Sequence, residues 1–163
     1  MEDGRKNDRD KLDYTLLDPE LINEFNKYVD VLLPGSTRAL FASNPKDRAL
    51  LMYEVSPMVD NRMYMLAAAT VYVACGLSLK TNILRIMQYG AEKYANHNWK
   101  LVRPIDRYLA AGYRHLKGGT NEEDCNQPHL AHFCCNMLMM RWFERNGIRL
   151  ERDQVNDKAK TLM

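Results

Sequence analysis

Between Met63 and Leu77 the chain carries fifteen residues without one charge, and any fold it adopts has to hide them. The run is shorter than the ~18–20 residues needed to span a bilayer, so it is expected as a helix buried in a soluble core. Asp60 is placed to cap this helix and Gly76 to end it. Thr70-Val71-Tyr72-Val73 is β-prone, but the length of the run favours helix over strand.

The rest of the chain repeats the same period. Asp18-Pro19-Glu20 is a helix start, with Asp18 as cap and Pro19 in the first turn. Leu21, Ile22, Phe25, Val29 and Leu32 follow at helical spacing until Pro34-Gly35-Ser36. A second helix is expected from Asp47 to Val55, opened by Asn44-Pro45 and broken at Ser56-Pro57. Thr81 to Tyr94 holds Ile83, Ile86 and Met87 in register and is expected to be interrupted near Gly90. Pro104 opens a helix that Gly118-Gly119 ends. Pro128 opens the last one, His129 to Arg145, and the charged tail after Gly147 is expected to fray. The fold class is therefore all-α, a helical bundle, in one domain spanning 1–163, a length at which a single hydrophobic core suffices.

Charge excludes some partners. With 23 basic and 21 acidic side chains the formal net charge is +2, which gives no electrostatic reason to expect nucleic acid or an anionic membrane. Cys75, Cys125, Cys134 and Cys135 lack the paired spacing of a zinc ribbon, and Cys134 and Cys135 face different ways on a helix. Free thiols in a reducing, cytoplasmic compartment are the expectation, and the charged stretch from Met1 to Asp10 does not read as a secretory signal.

Three of the four histidines fall between His115 and His132. His129 and His132, three residues apart on one helix, can turn their rings the same way. His115 ends the preceding helix, and Glu122, Glu123 and Asp124 lie in the connection. Imidazoles and carboxylates brought together by antiparallel helices suit a divalent ion, with the mixture leaning to Mn²⁺ or Mg²⁺; histidines that merely cap a helix beside a solvated acidic loop are the alternative. A second cluster is Gly90-Ala91-Glu92-Lys93-Tyr94-Ala95-Asn96-His97-Asn98-Trp99. There Lys93 can meet a phosphate, Asn98 can read a base edge, and Trp99 or Tyr94 can stack on a base; the alternative is a loop anchored by a half-buried Trp. Arg114, beside His115, suits a transferring phosphoryl group or simply the end of a helix dipole. The stripe Met137 to Met140 belongs to core or interface.

Three blocks of the chain, in order, resemble the phage dATP/dGTP diphosphohydrolase family. They are Gly4-Arg5-Lys6-Asn7-Asp8 with Lys11-Leu12-Asp13 and Leu16 to Glu20; Tyr89 to Tyr94 with Asn98-Trp99; and Ala110-Ala111 with Arg114-His115-Leu116, the acidic loop, and His129-Leu130-Ala131-His132 with Asn136. The resemblance implies a relative of the MazG-like all-α pyrophosphohydrolases, which use Mg²⁺ or Mn²⁺ to cleave a nucleoside triphosphate to monophosphate and pyrophosphate. In that superfamily acidic pairs on two helices hold the metals. Here the second pair corresponds to His129 and His132 and the first falls around Ala111 and Arg114 or His115. The carboxylates then have to come from Glu122 and Asp124. About fifty residues, 26–80, stand as a helical insertion between the first two blocks.

The resulting expectation is metal-dependent hydrolysis of dGTP or dATP. The metal is held by some of His115, Glu122, Asp124, His129 and His132, while Glu123 or Glu92 orients the water. Lys6, Lys11, Lys93 and Arg114 balance phosphate charge, and Tyr94, Asn98 and Trp99 hold the base. A homodimer or homotetramer is expected by analogy. Alternatives are a nucleotide-binding or phage accessory module without turnover, a helical assembly protein, and a histidine–aspartate phosphohydrolase. The last normally needs adjacent His-Asp residues, and no such dipeptide occurs.

Overall fold

The computed structural model describes residues 13–33, 45–75, 79–118 and 128–162. Among them are seven α-helices and no strands. They are α1 Pro19–Leu32, α2 Pro45–Asp60, α3 Tyr64–Cys75, α4 Leu79–Lys93, α5 Asp106–Lys117, α6 His129–Arg145 and α7 Glu151–Leu162. Short 3-10 turns occupy Tyr14–Leu16 and Asn98–Leu101. No helix of the described residues is long and apolar enough to cross a membrane.

The uncharged run does become a buried helix. α3 buries Tyr64, Met65, Ala67, Ala68, Ala69, Val71 and Tyr72, on all sides rather than along one stripe, because α1, α2 and α6 all pack on it. It comes from the 26–80 segment, yet it lies at the centre of the one hydrophobic core.

α6 is the other central helix, and its neighbours can be read around its circumference. The Cys134 thiol donates to the Ala68 carbonyl of α3, and the Cys135 thiol to the Ile83 carbonyl of α4. The two thiols thus diverge as their adjacency requires, and neither they nor Cys75 forms a disulfide among the described residues. Asn136, Met137 and Phe133 meet α5 at Gly112. Trp142 and Phe143 meet Trp99 edge-on, with ring centroids 5.3 and 5.6 Å apart. Arg141 and Arg145 reach across to Glu24 of α1.

Several local expectations yield to distant partners. Ser56-Pro57 does not break α2, which runs to Asp60 with Pro57 inside it. Leu51, Val55 and Val59 are buried on both sides of the proline, so one apolar stripe holds the two halves in line. Tyr53, whose carbonyl loses its i+4 donor, is 82% exposed, leaving water to replace the bond. Asp60 is the last residue of α2 rather than the cap of α3, and its carboxylate accepts a hydrogen bond from the Tyr113 hydroxyl of α5. Asp18 occupies the N-cap position of α1 without a side-chain cap. Its carboxylate instead accepts from Lys100 Nζ at 2.8 Å and Trp142 Nε1 at 2.6 Å. α4 passes through Gly90 uninterrupted.

The tail does not fray. The Asp106 carboxylate accepts from the backbone N–H groups of Glu151 and Arg152 at 2.6 and 3.3 Å, capping α7 from the first turn of α5. Arg62 then grips Asp153 with both guanidinium nitrogens, at 2.5 and 2.7 Å, and Leu150 is buried just before the helix.

Two glycines make a paired test. A Cβ on Gly112 would sit 2.7 Å from Met137 Cε and 3.5 Å from Asn136 Cβ, whereas one on Gly90 meets nothing within 4 Å. Gly112→Val is expected to lower stability by about 1–3 kcal/mol through overpacking, and Gly90→Ala to raise it by roughly 0.5–1 kcal/mol through helix propensity. Urea denaturation of both variants checks the opposite signs.

Candidate functional site

An open cavity of about 780 Å³ lies between the C-terminal half of α4, the Asn98–Leu101 turn and α5. Its walls follow from helix register. Ile86, Met87, Gly90, Ala91 and Tyr94 line it from α4, and Arg107, Ala110, Ala111 and Arg114 from α5. Both sets recur at the three- and four-residue spacing that keeps side chains on one face. On α5 the result is two guanidiniums flanking a floor of alanines.

Tyr94, Asn98, Trp99 and Arg114, all expected at the site, do line this cavity. Glu92 and Lys93 do not. With Gly90, Ala91 and Tyr94 facing the cavity, the register turns the two between them outward, and both are exposed. Lys93 Nζ rests over the rings of Tyr89 and Tyr94, 5.9 and 5.5 Å from their centroids, at the rim rather than in the wall. Lys6, Lys11, Glu122, Glu123 and Asp124 lie outside the described residues.

No carboxylate is present among the described residues that line the cavity. Arg107 and Arg114 have no ion-pair partner among the described residues and are exposed at its mouth. Aromatic side chains supply much of the remaining wall: Tyr89, Tyr94, Trp99 and Tyr108. Such a space suits a flat ring joined to negative charge. Trp99 also anchors its loop. Its ring packs edge-on against Trp142 and Phe143, Lys100 Nζ lies 5.5 Å from its centroid, and its carbonyl accepts from the Tyr108 hydroxyl at 3.3 Å.

The three histidines also come together, on the neighbouring side of α5. His115 is 7% exposed. Its ring stacks on His132 with centroids 4.8 Å apart and planes 20° apart, and its Nδ1 lies 3.0 Å from His129 Nδ1. A Cβ on Gly118 would come within 3.2 Å of the His129 ring, so this glycine lets the ring lie against the end of α5. The Nδ1 pair is a hydrogen bond in which one imidazole donates and the other accepts. Among the described residues no group of three His, Cys, Asp or Glu side chains is arranged to hold a metal; Glu122 and Asp124, the carboxylates expected to share one with the histidines, lie outside those residues.

Arg48 locks this end of α5. It is 7% exposed, and its Nε and Nη2 donate to the carbonyls of Leu116 and His115 at 3.0 and 2.8 Å. Both carbonyls lie in the last turn, where a helix runs out of i+4 donors; the His115 carbonyl also accepts from Gly118 N–H at 3.2 Å. Burial lowers the Arg48 pKa. Neither Arg48 nor Arg107 stood out in the sequence, though both left a trace. Arg48 continues the buried stripe Leu51-Val55-Val59 by one step, and Arg107 precedes Arg114 by two turns across Ala110-Ala111.

With this geometry in view, residues 76–153 match the family model described as dATP/dGTP diphosphohydrolase, N-terminal. Over that span the chain is similar to dATP/dGTP diphosphohydrolases. The match takes in α4, α5 and α6, and so both the cavity and the histidines; it includes the second and third blocks of the resemblance and leaves out the first. No curated protein and no solved structure matches the chain.

The histidine cluster has a consequence for stability. Burial first, then the neighbouring His132, His129 and Arg114, push the His115 pKa from 6.5 down to about 3. A base whose folded pKa is depressed stabilises the fold above its unfolded pKa and loses that contribution as pH falls toward the folded value. Stability is therefore expected to decline on acidification below 6.5 toward 3. Urea midpoints measured across that range should show a steep fall, flattened in His115→Gln.

Proposed function

We propose that this protein hydrolyses a purine deoxynucleoside triphosphate to the monophosphate and pyrophosphate. The observation that carries the reading is the cavity wall. Two guanidiniums without an ion-pair partner among the described residues and several aromatic rings, with no carboxylate among the described lining residues, fall inside the segment similar to dATP/dGTP diphosphohydrolases.

In this reading Arg114 and Arg107 take the phosphates, where planar guanidiniums can bind bidentately. Tyr94 and Asn98 hold the base. A carboxylate orients the attacking water; Glu92 points out of the cavity, which leaves Glu123 for that role. Attack at the α-phosphorus breaks the α–β anhydride and releases pyrophosphate. Mg²⁺ or Mn²⁺ would neutralise charge on the triphosphate. Some of His115, His129 and His132, together with Glu122 and Asp124, are proposed to hold the ion.

A second reading is a nucleotide-binding module without turnover. It rests on the same cavity wall, whose described residues supply groups for binding an anion with an aromatic body.

Incubating the protein with each dNTP and NTP, with Mg²⁺ or Mn²⁺, separates the readings. Monophosphate and pyrophosphate from dATP and dGTP are expected. Arg107→Ala and Arg114→Ala should each raise KM at least about tenfold, the signature of lost substrate binding. A rise in melting temperature with nucleotide but no product would establish the binding module instead. Nucleoside plus triphosphate would point to the histidine–aspartate chemistry.

A further inference from the structure

Among the described residues the buried polar side chains are Arg48, His115 and Asn136, and Arg48 alone of these is a cation at neutral pH. No described carboxylate pairs with it. Besides the carbonyls of His115 and Leu116, the titratable group it faces is Cys75, whose thiol is pushed up to about 11 by burial and so stays neutral. Enclosing a guanidinium without a counter-charge is costly. The negative end of the α5 dipole offsets part of that cost. Yet a helix end that needs only its carbonyls satisfied can be left to water. What the buried charge adds is a fixed last turn.

Arg114 lies in that turn. Seven residues, close to two full turns, separate it from Arg107. The two guanidiniums therefore share the cavity side only while α5 stays regular as far as Arg114. Helix ends fray, because the intrahelical donors run out there. Arg48 ties down the carbonyls of the two residues that follow Arg114. It comes from α2, ahead of the span that the family model matches.

We propose that Arg48 is a positioning residue for the nucleotide site: by holding the last turn of α5 it keeps the Arg114 guanidinium in register with Arg107 along the phosphates. This rests on the reading above that both arginines take the phosphates. The planar fork of a guanidinium suits the task, since it reaches two successive carbonyls at once. The 26–80 segment is then a working part of the site rather than an addition to the scaffold.

The test is equilibrium binding of α,β-methylene dATP, which resists cleavage at the α–β bond, in double-mutant cycles. Arg48→Met keeps the stem and removes the donors. It should weaken binding about tenfold in the wild-type and Arg107→Ala backgrounds and have no effect in Arg114→Ala, because coupling is confined to residues that act through each other. Arg48→Lys keeps the charge and the stem without the fork; it should show a smaller loss with the same pattern, and it carries the test if Arg48→Met does not fold. The same loss in all three backgrounds is the mark of a merely structural role. That result, or wild-type affinity in Arg48→Met, overturns the proposal and leaves the nucleotide reading standing. Amide hydrogen exchange of the wild type needs no variant: residues 115–117 should be protected as strongly as 110–113, and fast exchange confined to the last turn overturns the proposal as well. No binding of any purine nucleotide to the wild type overturns the nucleotide reading and the proposal with it.

Discussion

Helix α6 has almost no free surface, and that enclosure sets the positions of the other helices. From Leu130 to Phe143 most of its side chains are buried, and each face is committed to a different neighbour. A thiol on one side reaches a carbonyl of α3, the next thiol reaches α4, and Asn136 and Met137 press on Gly112 of α5. Near the C-terminus Trp142 and Phe143 close on Trp99. Packed interiors tolerate little change in volume. A shift of α6 about its axis would therefore disturb four elements at once.

The cavity follows from this commitment. α5 approaches α6 through a glycine and so spends one side on the core. The opposite register, from Arg107 through the alanines to Arg114, is left to face α4 across open space. Likewise α4 presents Gly90 and Ala91 there, residues too small to fill the gap. Charge then selects what can enter: guanidiniums at the mouth and no acid in the described wall favour an anion with an aromatic body.

What the sequence makes legible is what depends on near neighbours. The apolar run of α3, the limits of α6 after Pro128, and the joining of His115 to His129 and His132 all follow from period and spacing. The similarity found over residues 76–153 likewise lies where two of the three recognised blocks stand. The failures share one cause: the deciding partner is far away in the chain. Asp18 looks like a cap because Pro19 follows it, but Lys100 and Trp142 claim its carboxylate. The tail looks ready to fray because its own residues are polar, but Asp106 caps it from 45 residues away. Pro57 looks like a break because the rule for proline is local, whereas the stripe that carries α2 past it is tertiary. Arg48 is illegible for the same reason, since its acceptors are 67 and 68 residues distant. Glu92 and Lys93 had the right chemistry and the wrong register.

Arg114 and His115 are adjacent, and on a helix adjacent side chains point about 100° apart. One faces the cavity and the other the stacked imidazoles, while Arg48 holds the carbonyls at that end of the helix. The cavity and the imidazole stack thus share one helix whose end is pinned. Moving the guanidinium by turning α5 would have to undo the His115 stack, so the packing that holds the imidazoles also holds Arg114 at the cavity.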